Sequence, residues 1–341
     1  MNLRSSCLVT TLLLYCSMAG AVTVDDFYAG VITCNGTTVR YRLFSPDTAG
    51  SPGRAFPIVL ALHGVGERGE DNYLQLGNKV INWADETRQA ANPSFVLAPQ
   101  CPSNAYWALD GWGTWDQGVY TISPTINAPL ATVMHLLDSL VGVLPVDTNR
   151  QYLTGLSMGG MGAYDLMVRY PRRWAAAVPV CGAVDTTLVD NLVPMPIWAF
   201  HGAADGIVPP LGTRTTMRHI ESLGQTVVYP SCGVEVTGCT PLTTQQEAEA
   251  AQTARYLYTE IPDGGHFAWD YAYVDDAMFT WVFLQAKDSD PVTARDFVRR
   301  ASTYTPRQQS AGSAVDLCGR MVRGAATGNS LQTPVWRISL R

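Results

Sequence analysis

Residues 153–162 read Leu-Thr-Gly-Leu-Ser-Met-Gly-Gly-Met-Gly, and the five at the centre are Gly155-Leu156-Ser157-Met158-Gly159. The residues before them, Gln151-Tyr152-Leu153-Thr154, read as a short buried strand. Those after, Met158 to Tyr170, read as a helix stopped by Pro171. A chain that turns so sharply from strand to helix needs glycine on either side of the serine, because a side chain there would crowd the turn. The outcome is a serine hydroxyl held at the positive end of a helix. Gly-x-Ser-x-Gly alone is a common pattern. Set between a strand and a helix, it reads as a nucleophile elbow.

Working outward, a serine nucleophile needs a base and an acid, which follow it in that fold in the order serine, acid, histidine. The chain has five histidines. His63 and His135 precede the serine, and His219 lies in an expected flank helix, Thr213–Leu223. His201 ends the apolar strand Pro196–Phe200 and reads as structural, holding the loop that follows. His266 remains, in the loop Pro262-Asp263-Gly264-Gly265-His266-Phe267 after the strand Arg255–Ile261. Loops at the ends of such strands are where sites collect. The acid is expected at Asp205, in His201-Gly202-Ala203-Ala204-Asp205-Gly206-Ile207-Val208-Pro209. A rigid apolar loop suits a carboxylate that orients an imidazole without taking its proton. Its rival is Asp185, one strand earlier, and a helix cap is the plainer role for Asp205 itself. Pro57–Leu62 is an unbroken apolar run leading into His63-Gly64-Val65-Gly66-Glu67-Arg68-Gly69. That loop is expected to give one backbone N–H of an oxyanion hole, from Gly64 or Val65 with Val65 as the candidate, and Met158 the other.

Apolar strands at Val39–Phe44, Pro57–Leu62, Phe95–Ala98, Gln151–Thr154, Trp174–Val180, Pro196–Phe200 and Arg255–Ile261 alternate with helical stretches. The helices are expected near Tyr73–Glu86, Ile126–Leu144, Met158–Tyr170, Pro209–Leu223 and Val274–Gln285. Such alternation gives an α/β class, a mostly parallel sheet covered by helices on both faces.

These stretches resemble secreted esterases of the α/β-hydrolase superfamily. The likeness is to the branch of polyhydroxybutyrate-depolymerase-like, feruloyl and acetyl-xylan esterases and bacterial "predicted peptidase" sequences. It is carried by Leu62–Asn72, Ala98-Pro99-Gln100-Cys101-Pro102, Thr154–Gly160 and Val178-Pro179-Val180-Cys181-Gly182. Ala199-Phe200-His201-Gly202 with Asp205 and Val208-Pro209, and Gly265-His266, complete it, all within residues 57–285. The resemblance implies the α/β-hydrolase fold and cleavage of carboxylic esters, with Ser157 as nucleophile, His266 as base and Asp205 as its orienter. It implies short or aromatic acyl esters, feruloylated or acetylated polysaccharide or a polyester among them, and no cofactor. A peptidase of the prolyl-oligopeptidase type and a non-catalytic binding protein are the competing expectations. Residues 231–252 read as an insertion, and 286–341 have no counterpart in the branch.

Residues 22–285 carry 13 basic and 25 acidic side chains, against 9 and 4 in 286–341. An acidic body argues against nucleic acid as partner. Arg4, the apolar run Cys7–Cys16 and Ala19-Gly20-Ala21 read as a secretory signal over residues 1–21, so a secreted or periplasmic location is expected. That run is too short to span a bilayer, so no membrane anchor is expected in the mature chain. Six cysteines then remain, an even number suited to disulfides. Cys232 with Cys239 is the favoured pair, then Cys101 with Cys181, leaving Cys34 and Cys318. No cysteine has metal-ligand spacing with histidine, so no metal is expected. The loop Tyr106–Trp115 holds three tryptophans. Packing against the body is the plainer role; lining the acyl or sugar site is expected of Trp112 and Trp115, with Phe267 and Trp269 opposite. No paired lid helices precede the elbow, which argues against a lipase for long acyl chains. The tail 286–341 is weakly periodic and reads as an appendage, with a short helix at Pro291–Arg300 as the alternative.

Overall fold

All seven segments expected as strands lie in one sheet. The computed structural model describes residues 21–48, 51–108, 115–233 and 240–287. In chain order the elements are β1 (Tyr28–Cys34), β2 (Thr37–Phe44), β3 (Phe56–Leu62), α1 (Glu86–Ala91) and β4 (Phe95–Gln100). A two-residue hairpin follows, β5 (Trp115–Asp116) and β6 (Val119–Tyr120), then α2 (Ala128–Val143), β7 (Val146–Leu156) and α3 (Met158–Arg169). The second half comprises β8 (Ala176–Val180), β9 (Ile197–Gly202), α4 (Leu211–Ser222), β10 (Val227–Ser231), α5 (Thr244–Thr253), β11 (Tyr256–Ile261), α6 (Trp269–Ala272) and α7 (Asp276–Leu284). The sheet order is β1-β2-β4-β3-β7-β8-β9-β11-β10. Within this sheet the β1–β2 and β2–β4 pairings are antiparallel and the others parallel.

Period-two alternation along the central strands explains why both faces are covered. Phe56, Ile58, Leu60 and Leu62 of β3 pack in one apolar cluster with Leu130, Leu137, Met217 and Ile220 of α2 and α4. Val59 and Ala61 point the other way, into a second cluster with Trp83, Trp281, Val282 and Phe283. Strand β9 divides in the same manner, Ile197 and Ala199 to the first cluster, Trp198 and Phe200 to the second. A strand buried on both faces must be apolar throughout, and that is why these runs are unbroken. Each fully buried Leu, Ile or Val contributes about 2 kcal/mol.

Three expectations are corrected. The stretch Tyr73–Glu86 is no α-helix. It forms two 3-10 turns, Leu74–Leu76 and Val80–Ala84, before α1 begins. Asn78 and Lys79 between them have φ of 49° and 63°, left-handed backbone that no α-helix passes through. Cys101, Cys181 and Cys34 are free thiols, so the expected Cys101–Cys181 bridge and the remaining pair of Cys34 with Cys318 are both absent. Cys101 and Cys181 are each buried, one after β4 and the other after β8. Cys232 is disulfide-bonded, and its expected partner Cys239 lies outside the described residues, as does Cys318. The expected signal and the tail from residue 288 onward also lie outside them, apart from Ala21.

Candidate active site

The end of β7 delivers the serine. Ser157 sits at φ 54°, ψ −117°, in a region L-residues rarely adopt. Such a conformation costs about 1–3 kcal/mol and persists only where its surroundings impose it. Here Ser157 N–H donates to Val180 O at 2.9 Å, and Met161 N–H donates to Ser157 O at 3.0 Å. A Cβ on Gly155 would stand 2.2 Å from Gly159 O, and one on Gly159 only 2.0 Å from Leu62 O. Both elbow glycines are therefore required by backbone contact.

Ser157, Asp205 and His266 meet through the ends of β7, β9 and β11. His266 Nε2 lies 2.8 Å from Ser157 Oγ, and His266 Nδ1 lies 2.8 Å from Asp205 Oδ2. Parallel pairing of β9 with β11, from Ile197 opposite Tyr256 to Gly202 opposite Ile261, brings the two loops side by side. Gly202 lets them touch, since a Cβ there would fall 2.1 Å from Gly265 O. Asp205 Oδ1 accepts from the N–H groups of Ile207 and Val208, each at 2.9 Å. Burial alone would raise its carboxyl, but hydrogen bonds from His201, His266 and Val208 outweigh that and hold it well below the usual carboxylate range. An ionised Asp205 accepts the Nδ1 proton of His266, which leaves the Nε2 lone pair facing the serine. His201 Nε2–H donates to Val208 O at 2.7 Å and approaches Asp205 Oδ2 at 3.4 Å. Its Nδ1 sits 3.0 Å from Thr213 Oγ1, so His201 braces the acid loop against α4.

The two expected oxyanion donors share a feature. Val65 is the first residue of the 3-10 turn Val65–Glu67, and Met158 the first of α3. N–H groups at the start of a helical turn have no partner within it. His63, fully buried at 1% exposure, fixes the first of these. Its Nδ1–H donates to Gly64 O at 2.6 Å, and its Nε2 accepts from Cys101 N–H at 2.9 Å. In a trans peptide C=O and N–H point oppositely, so a clamped Gly64 carbonyl aims the Val65 N–H the other way. Trp107 Nε1–H holds His63 O at 3.1 Å. Burial pushes the His63 ring down to about 4, so it stays neutral in this role.

The rival acid is engaged elsewhere. Asp185 Oδ2 accepts from Ile122 N–H at 2.7 Å, and Oδ1 from Thr187 N–H and its hydroxyl. Trp107 is a core residue, 0% exposed. Trp112 lies outside the described residues, and Trp115 begins the β5–β6 hairpin. Trp269 is not an open wall: it is buried and meets the His266 ring edge-on at 5.4 Å between centroids. Phe267, 63% exposed, stands beside the imidazole and faces solvent. Sequence reading missed two neighbours of the site, the His63 clamp and the free Cys181 thiol. The histidine heads the glycine loop and the cysteine ends a strand beside the elbow, so their positions were the available signal.

No protein-family profile matches the chain. Among curated proteins, a bifunctional acetylxylan esterase/xylanase, XynS20E, of Neocallimastix patriciarum is 29% identical over 153 residues. That match covers 45% of this chain and 20% of the relative. Feruloyl esterase D of Neurospora crassa is 22% identical over 241 residues, covering 68% and 75%. The chain spans from 16% to 75% of the lengths of the curated relatives it matches. Among solved structures, a thermostable esterase superposes with a TM-score of 0.62 at 31% identity, over 77% of this chain and 64% of that one. The chain has the α/β-hydrolase fold and resembles esterases in sequence and in structure.

Proposed function

We propose that this chain is an exported serine hydrolase that cleaves carboxylic esters of short or aromatic acyl groups through an acyl-enzyme. The observation that carries the reading is the relay Ser157–His266–Asp205, with 2.8 Å at both links. His266 Nε2 takes the Ser157 proton as Oγ attacks the ester carbonyl, and the imidazolium is stabilised by Asp205, which stays ionised. Negative charge gathers on the carbonyl oxygen, where the N–H groups of Val65 and Met158 stabilise it without reorganising. His266 returns the proton to the departing alcohol, and water then repeats the sequence to release the acid. The pair of fixed amides at two helix starts favours acyl transfer over a binding role. The likeness to feruloyl and acetylxylan esterases supports an ester on a plant polysaccharide or its fragments. The exposed Phe267 ring offers a face for an aromatic acyl group. Residues 1–21 support export, and the disulfide-bonded Cys232 the oxidised state that goes with it.

The deciding assay is a panel of nitrophenyl acetate through decanoate, methyl ferulate, acetylated xylan, a polyester film and peptide amides. Turnover of short or aromatic esters, abolished in Ser157→Ala, is expected. Amide turnover without ester turnover would overturn the reaction class, and a peak at decanoate the acyl class.

A further inference from the structure

Cys181 follows β8 at the active-site end of the sheet, in left-handed backbone at φ 40°. Its thiol is free and 1% exposed. The sulfur, an Asp205 carboxylate oxygen and a His266 ring nitrogen all lie within 4.8 Å of one another. Among the described residues this is the one such grouping of His, Cys, Asp or Glu donors. Three strand ends supply it, β8, β9 and β11, so its members are fixed by the same pairing that assembles the relay. Burial, and after it the charge of Asp205, push the Cys181 thiol well up, so a bound ion must displace its proton. The relay uses two of these three groups and leaves the thiol idle.

Thiolate, imidazole and carboxylate together form a donor set for zinc and for softer thiophilic ions such as cadmium. Zinc takes sulfur at about 2.3 Å and nitrogen or oxygen at about 2.0–2.2 Å, so its ligand atoms stand roughly 3–4 Å apart. Small side-chain rotations bring donors within 4.8 Å to that spacing. We propose that Cys181, Asp205 and His266 form an inhibitory site for zinc or a thiophilic divalent ion, which captures the histidine and disables the serine.

The ring nitrogen beside the Asp205 carboxylate is Nδ1, 2.8 Å from Oδ2, and the proposed ion binds there. An ion bound there takes the Nδ1 lone pair, so the ring proton moves to Nε2, and the Cys181 thiol gives one proton to solvent. An Nε2–H facing Ser157 Oγ can donate to that oxygen but cannot accept its proton. The base is lost while the fold stays intact. Such an ion is an inhibitor, not a cofactor. The loss of activity rests on the proposed relay; the binding of the ion does not.

The test uses the purified protein after dialysis against a chelator. Wild type and Ser157→Ala are titrated with cadmium chloride, followed by calorimetry and by the ultraviolet cadmium–thiolate band. Wild type is also assayed on nitrophenyl acetate with added zinc chloride. One equivalent of cadmium should bind both proteins with a thiolate band. Zinc should abolish ester turnover in wild type, and excess chelator should restore it. Cys181→Ser should lose the band and bind about 100-fold more weakly. Asp205→Asn, which keeps the thiol, should also bind more weakly. Absence of the band in wild type, or undiminished binding by Cys181→Ser or by Asp205→Asn, would overturn the site. Tight binding with full ester turnover would overturn the inhibition. A wild type that binds cadmium through Cys181 but cleaves no ester would leave the site standing and sink the hydrolase reading instead.

Discussion

Replacing His63 by glutamine should flatten the dependence of stability on pH. The wild-type ring is wholly buried, with Nδ1–H given to Gly64 O and Nε2 accepting from Cys101 N–H. A second proton would sit on Nε2, against that N–H. Burial, and behind it the charge of Arg68, push the ring from 6.5 down to about 4, although the bond to Gly64 pulls part of the way back. As pH falls through 6.5 the unfolded chain takes the proton and the folded chain does not until about 4. Stability present above pH 6.5 is therefore lost across that window, because the unfolded state binds more protons there. The loss is about 3 kcal/mol in all, of which about 2 kcal/mol falls between pH 7 and pH 5. Glutamine offers one donor and one acceptor but does not titrate. Urea denaturation of both proteins at pH 7 and pH 5 gives the comparison, and other titrating groups such as Glu247 cancel in the difference. If both proteins lost equal stability over that interval, the neutral clamp would be refuted.

Further outcomes follow from the same geometry. Val65→Pro removes one N–H at a helix start that tolerates proline, after a Gly64 already extended at φ −76°, ψ −176°. It should lower kcat on nitrophenyl acetate about 100- to 1,000-fold with the fold retained by circular dichroism; an unchanged kcat would exclude Val65 as an oxyanion donor. Asp205→Ala should cost about 10,000-fold in kcat. Asp185→Ala should leave kcat near wild type and cost about 1 kcal/mol in denaturant unfolding, through the lost cap on Thr187; the reverse pattern would exchange their roles. Gly159→Ala meets backbone at 2.0 Å and should yield no folded protein. Recovery of a cooperatively folding, active variant would show the elbow to be looser than its contacts imply.

The central strands were legible because a parallel sheet buried on both faces demands continuous apolar runs, and Pro57–Leu62 and Pro196–Phe200 have them. The two edge strands escaped. β1 alternates exposed residues with ones that, Ile32 apart, are only half-buried, and β10 carries Pro230, which an edge position tolerates because an unpaired side needs no donor. The turns from Leu74 to Ala84 carry a helical spacing of apolar residues, and only the left-handed backbone of Asn78 and Lys79 breaks it. The serine, acid and histidine could be singled out by chain order, since each ends a strand. That Cys181 shares their space, and that Trp269 lies edge-on to the imidazole, depend on how four strand ends fan out in three dimensions. No local pattern encodes that.

One property of α3 reaches beyond chemistry. Every residue from Met158 to Val168 is buried, so this helix has no solvent face on which it could fray independently. Amide protons along it should exchange with deuterium only when the whole molecule opens, whereas those of the exposed α5 should exchange through small local openings. The segment that begins at the serine then shares its lifetime with the fold itself. Heat should silence the site at the moment of global unfolding and not before.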